Sequence, residues 1–440
     1  HRQLISMEVG VKRYWLLVVL LSLLLMGSGC APEPGPPTVS VLPTETLAPT
    51  PFLSPTPTPA PAPRFVTLTL WIPDFLDPYV EENESAVLLE QIQAFNRLNP
   101  DIQVQILVKK ATGVGGLYNL LSTARPVAPD VLPDLVILSE ADLPAAAREG
   151  IIQPLTVVGV SVDDFFPFAA QGVRVDATLY GIPYLAQTEH IAYRAELTSG
   201  SSISWTQVLT ENYSLIFPAA PSNGLASDAL LATYLGSGGE VMDDSGAATL
   251  DRARLEELYR YFAATISQGL LEPELALTLP DAATCWALYQ EGRGSLTVVP
   301  AGAYWAEPRL ESVPGWIPTR DGDPVALARL WSLALVTPDP ARQEAALQLA
   351  QWLAAPEQVA ALATEQKFLP PRRQAIEALG LPPEDVRFLL TLLSEAQGPL
   401  PLGVDQPVRQ ALQAGLDALL REQVATPEEA ATHALTVLRR

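Results

Sequence analysis

Apolar residues recur along the first part of the chain in two alternating periods. Val66, Leu68, Leu70 and Ile72 share one parity, which predicts a strand with one buried face. Leu88, Ile92 and Phe95 then fall at i, i+4 and i+7, the spacing of a helix face. Asn99-Pro100 ends that helix, because the residue before a proline is driven out of the helical region. Ile102, Val104, Ile106 and Val108 alternate again, and Leu135 to Leu138 form a short continuous run suited to a strand covered on both faces. Strand, helix, strand, helix, strand predicts a parallel sheet with helices on its faces. Ligands of such sheets lie beyond the carboxyl ends of the strands, which points to Trp71 to Phe75 and Ser139 to Asp142.

The later part reads as more helical. Leu255, Leu258, Phe262 and Ile266 make one face, closed by Gly269, whose missing Cβ suits a left-handed cap. Ala345, Leu349 and Trp352 or Leu353 mark another face. Thr426-Pro427-Glu428-Glu429 supplies an N-cap, a proline at the first helical position and a carboxylate able to reach back. No internal repeat is evident.

An 11-residue apolar run, Leu16 to Met26, follows Lys12 and Arg13 and ends in Gly27-Ser28-Gly29-Cys30. A spanning helix needs about 20 apolar residues, so the run has the length and flanks of an export signal. Residues 1–29 are expected to be a signal peptide read from Met7, with Cys30 as the lipidated first residue of the mature chain. The small residues before Cys30 resemble a bacterial lipobox, although Gly27 stands where Leu is usual. Cleavage near Gly29 without lipidation is the other reading, and it gives a secreted, unanchored protein. Between Ala31 and Pro63, 12 of 33 residues are Pro, which removes donors and fixes φ; residues 30–63 therefore read as an extended tether. Everything after it is expected to work outside the cytoplasm, on the outer face of a bacterial membrane.

The formal net charge is −22, with 49 acidic against 27 basic side chains. Such a surface is a poor partner for nucleic acid and for anionic membranes, and it argues against a phosphorylated ligand. Cys285 is the second of two cysteines and lies in an apolar helical pattern, so it reads as a buried, inert thiol. The segment GVGGLYN (113–119) lacks the Lys-Ser/Thr of a phosphate loop and reads as a loop at the edge of a cleft. Neither G-x-S-x-G nor H-E-x-x-H occurs, and histidines are few, so the motifs give little support for an enzyme, and no metal site or cofactor is expected. Carboxylates are plentiful, and a glycosidase with two acids stays open on composition alone.

The order of segments resembles the extracellular solute-binding proteins of carbohydrate ABC transporters, the group that includes maltose-binding protein. LTLWIP and FNRLNPDIQVQI are similar to its opening strand, helix and second strand. PDLVILSEADLPAAAREGIIQPL resembles the third strand, the next helix and a G-x-I-x-P-L turn. YGIPYLAQTEHIAYRAEL is similar to the interlobe crossing, with Arg194 where Asn is usual. SWTQVL, the Gly-Gly and tip-loop region 238–273, ALYQEGRGSLTVVPAGAYW and the late helices to FLPPRRQA follow in the family's order. The resemblance covers nearly all of residues 65–440.

It implies an α/β fold of the two-lobed, periplasmic-binding-protein type (type II), each lobe a mixed, mostly parallel sheet flanked by helices, with a ligand cleft between them. It places residues 65–183 and 318–369 in the first lobe and 186–315 and 371–440 in the second. Crossings are then expected near 181–186, 314–319 and 368–372. The implied activity is capture of a neutral sugar or oligosaccharide by a monomer and its delivery to an ABC transporter permease. A sugar offers an apolar face and a rim of hydroxyls, so it asks for flat rings and planar polar groups. Trp71, Phe75, Tyr184, Tyr304, Trp305 and Trp331 are the candidate rings, and core packing is the competing reading for each. Asp74, Glu140, Asp142, Gln187 and Glu189 are the candidate hydroxyl partners. A surface binding or sensing protein of the same fold without a permease, or a binder of a polyamine, are the alternative functions.

Overall fold

The computed structural model describes residues 65–79, 87–155, 163–197, 200–307 and 311–440. The signal segment, Cys30 and the tether lie outside these residues.

Alternation builds the first strand, β1 (Val66–Pro73), in which Leu68, Leu70 and Ile72 are wholly buried. It runs parallel to both β2 (Ile102–Lys109) and β3 (Leu135–Ser139). All five residues of β3 are buried, as its unbroken apolar run requires, whereas β2 lies at the sheet edge and buries only Ile102. Leu88, Ile92 and Phe95 pack the inner face of the helix Val87–Leu98. A two-stranded ribbon, β4 (Arg174–Val175) and β5 (Thr178–Leu179), precedes the 14-residue β6 (Gly181–Arg194). The sheet is completed by β7 (Leu215–Ile216), β8 (Leu296–Pro300), β9 (Ser312–Gly315) and β10 (Ala328–Leu335).

Strand order is β2-β1-β3-β10-β6-β8-β7, with β9 also on β6. β6 is the continuous element. Its residues 181–188 pair antiparallel with β10, and its residues 189–194 pair with β8 and β9. The handover between partners falls at Thr188 and Glu189, and a hydrophobic core lies on either side of it. The first core gathers β1, β3, β10 and the flanking helices around Leu70, Ile137 and Leu333. It also takes in Ile376, Leu389, Leu392 and Leu393, so residues 373–396 pack with it. The second core centres on Leu230, Leu258, Phe262 and Leu412.

Local chemistry sets the helix ends. The helix Arg252–Ser267 starts at Asp251, whose carboxylate accepts from Arg254 N–H, and Gly269 follows its end with φ 69°. Thr426 Oγ1 accepts from Glu429 N–H, while Glu429 Oε2 accepts from Ala425 N–H, a reciprocal cap on the last helix. Loop 113–119 folds on itself through Gly115 N–H, which donates to Asn119 Oδ1 (3.1 Å). Cys285 is a buried free thiol, and burial pushes its pKa up. Among the described residues no helix is long and apolar enough to cross a membrane.

Candidate functional site

Elements of both cores meet at a cavity of about 470 Å³ on the β10 side of β6. The first core supplies Glu140, just past β3, and Pro144, Ala145 and Arg148 from the helix Leu143–Arg148. The second supplies Asp228, which opens the helix Asp228–Leu235 after the Ser227 cap, and Asp405 and Arg409 from the helix Leu402–Leu420. Arg329, on β10 opposite Gln187, reaches across. Its volume lies within the roughly 300–1,000 Å³ usual for small-molecule sites.

Asp228 is the node of a charge network. Arg329 grips it in a two-pronged fork, Nε to Oδ2 and Nη2 to Oδ1, both 2.9 Å. Arg409 reaches the same Oδ1 with Nη2 at 2.6 Å, donates from Nε to Asp405 Oδ1 at 2.7 Å and from Nη1 to the Ala226 carbonyl at 3.0 Å. Burial pushes the Asp228 carboxyl up, but Arg329 and Arg409 together outweigh it and hold the pKa at about 2. Glu140 behaves in the opposite way. It is 8% exposed, and burial raises its carboxyl to about 7, even though Leu330 N–H donates to Oε2 at 2.6 Å and Arg329 is near. Burial likewise pushes Glu189 up, its Oε2 having no hydrogen-bond partner.

A second cavity, about 810 Å³, lies on the side of β6 where Leu369 pairs with Ala186. Gln187, Trp286, Glu307, Gln366 and Lys367 line it. Trp286 Nε1 donates to Glu307 Oε2 (2.9 Å), and Lys367 pairs with the other oxygen of Glu307.

The residues singled out in the sequence divide among these places. Glu140 lines the smaller cavity and Gln187 the larger. Glu189 lies beside the charge network. Asp142 sits at the start of the 143–148 helix, where Ser139 Oγ donates to it at 3.0 Å and burial raises its pKa. Asp74 is exposed and accepts from Ala111 N–H. Phe75, half-buried, meets Trp331 edge-on at 4.8 Å and stacks on Phe368 at 5.2 Å. Trp331 is itself buried in the first core, as are Trp71 and Tyr184. Tyr304 is wholly buried, its hydroxyl donating to the Ser312 carbonyl at 3.0 Å. Trp305 is half-buried and packs beside His190 at 5.0 Å. Sequence reasoning did not find Asp228, Arg329, Arg409 or Asp405: Asp405 and Arg409 lie one turn apart on a helix, but no local motif joins them to Asp228 or Arg329. For Arg329 the signal was a charge in an apolar run, between Leu327-Ala328 and Leu330-Trp331.

Two cores that share one continuous strand, with a cavity between their helices, define a two-lobed binding protein. The chain belongs to the family described as bacterial extracellular solute-binding protein, whose profile matches residues 90–385. Among solved structures it is similar to the sugar-binding protein MalE from Xanthomonas citri, at 19% identity and TM-score 0.65 over 85% of this chain and 98% of that one. It is similar to maltose-bound MalE3 of T. maritima, at 18% identity and TM-score 0.64 over 85% and 99%. It also resembles the cyclic alpha-maltosyl-1,6-maltose binding protein of Arthrobacter globiformis, at 16% identity and TM-score 0.63 over 85% and 98%. Likeness at such identity is one of fold. No curated protein sequence matches the chain. The family is one of extracellular binding proteins, not of enzymes.

Proposed function

We propose that the protein captures a sugar or oligosaccharide between its lobes and delivers it to an ABC transporter permease. The observation that carries this reading is the 470 Å³ cavity, walled by helices of both cores and furnished with fixed planar polar groups. Those groups suit a ring of hydroxyls, and the sugar-binding structures that share the fold support the class of ligand. Glu140 and Arg329 are the proposed polar contacts, with Glu189 beside the network and Gln187 on the larger cavity, and the half-buried Phe75 and Trp305 are the candidate rings that keep some exposure. Trp71, Asp74, Tyr184, Tyr304 and Trp331 serve packing or local bonding in this arrangement. Asp228 and Asp405, two of the three carboxylates of the cavity, are engaged by arginines, which disfavours a polyamine as ligand.

Cys30 is proposed as a lipid anchor, with the proline-rich tract as its leash. A Cys30→Ala variant that fractionates with membranes as the parent does would reject the anchor. For the ligand, thermal shift across a panel of mono- and oligosaccharides is the direct test, because a molecule that binds only the native state raises its stability by mass action. Binding should also favour a closed population that scattering detects. A panel without one stabilising sugar, and scattering unchanged at saturation, would reject the reading. Loss of sugar uptake on deleting the protein separates transport from sensing.

A further inference from the structure

The smaller cavity keeps unpaired guanidinium donors that the charge of the whole chain conceals. Arg148, Arg329 and Arg409 line it against Glu140, Asp228 and Asp405. Asp228 and Asp405 are engaged with Arg329 and Arg409, an internally neutral foursome. What remains is Arg148, exposed on the rim and in no ion pair among the described residues, and the Nη1 edge of Arg329, whose Nε and Nη2 are held by Asp228. Glu140 is the one remaining acid on the wall. It is buried, and burial favours a partly protonated carboxyl near neutral pH, outweighing Leu330 N–H, whose donation to Oε2 favours the ionised form.

We propose that this cavity selects a saccharide bearing a carboxylate, a uronic acid, with Arg148 and the free edge of Arg329 as its specificity-determining contacts. The inference rests on the carbohydrate reading above. A planar guanidinium already fixed by one carboxylate loses little freedom in gripping a second, and guanidinium forks match carboxylate geometry. A neutral sugar would answer these donors with hydroxyls alone. An amine would meet Arg148 and Arg329 with like charge. The acidic exterior opposes an anion only weakly at this site, since exposed charges more than about 8 Å away are screened at physiological salt. A phosphate shares the anionic chemistry, so the test separates it.

Calorimetric titration of the whole protein near pH 7 with digalacturonate, maltose and glucose 6-phosphate is decisive. Digalacturonate is expected to bind more than about tenfold tighter than either of the others. Arg148→Gln, at an exposed position, should weaken digalacturonate about tenfold and maltose by clearly less, with the melting temperature unchanged. Arg148→Lys should recover part of the loss, because an ammonium keeps the charge but not the fork. Maltose binding as tightly as digalacturonate, tighter binding of glucose 6-phosphate, or an Arg148→Gln variant with unchanged digalacturonate affinity would each overturn the proposal. Maltose binding without uronate binding rejects this inference alone. Absence of binding by any saccharide, charged or neutral, rejects the carbohydrate reading with it.

Discussion

Replacing Asp228 with Asn tests whether the charge network holds the two cores' elements together. The side chain is 15% exposed, and its Oδ1 receives both Arg329 and the 5%-exposed Arg409. Asn keeps the shape and removes the charge. Two routes give the magnitude. Lowering the carboxyl from 3.8 to about 2 corresponds to about 2–3 kcal/mol, at about 1.4 kcal/mol for each unit. Removing one partner of a buried ion pair costs about 3–5 kcal/mol, but Asp405 still faces Arg409 and Arg329 is 49% exposed, so the lower end applies. The expected loss is therefore about 2–3 kcal/mol in urea unfolding near pH 7. Because the folded pKa is depressed, this stability is present in full above the unfolded value and disappears as pH falls through about 2. The gap between parent and variant should thus stay level from about pH 5 to 8 and close below about pH 3. A gap under about 0.5 kcal/mol near neutrality, or one that widens in acid, would refute the network as a source of stability.

Glu140→Gln should flatten the pH dependence of stability. The raised carboxyl favours the native state in full below the ordinary glutamate value of 4.5, and this contribution, roughly 3 kcal/mol, is lost as pH rises through about 7. Parallel melting curves for parent and variant across that window would count against it. Gly302→Ala should destabilise by about 1–2 kcal/mol, since a Cβ there would lie 2.0 Å from the Lys367 carbonyl oxygen, a backbone atom, and overpacking outweighs the gain in helix propensity. Gly403→Ala, with nothing within 4 Å, is the control and should be neutral or better; equal melting of the two variants would show no close approach at Gly302. Trp331→Ala should lower apo stability by about 3–5 kcal/mol as a core truncation, with affinity following second. Normal apo melting with lost affinity would return Trp331 to the binding wall.

Periodicity made the early strands and helices legible because it is a local property. Leu68, Leu70 and Ile72 on β1, and Leu88, Ile92 and Phe95 on the next helix, are buried where their spacing requires. Aromatics gave less. Tyr184, Tyr304 and Trp331 have the chemistry of a sugar platform, but the same apolar body and polar tip suits a core, and side-chain type does not distinguish the two. Glu140 could be flagged because ligands gather just past the end of a strand such as β3. Its partners could not, since Arg329 lies 101 residues from Asp228 in the chain.

Charge shows why the site resists reading from composition. The chain carries 49 acidic and 27 basic side chains, and that average predicts an environment hostile to anions. The cavity holds three of each, and pairing changes what each can offer. Two carboxylates are consumed within the network, while two arginines hold Asp228 and leave one guanidinium edge and the Arg148 side chain without a carboxylate partner among the described residues. A formal sum counts Glu140 as a full negative charge, yet burial leaves it partly neutral near pH 7. Selectivity therefore follows from which donors remain unanswered after the protein has satisfied itself. That quantity exists only once β10, the 228–235 helix and the 402–420 helix have brought their side chains to one wall.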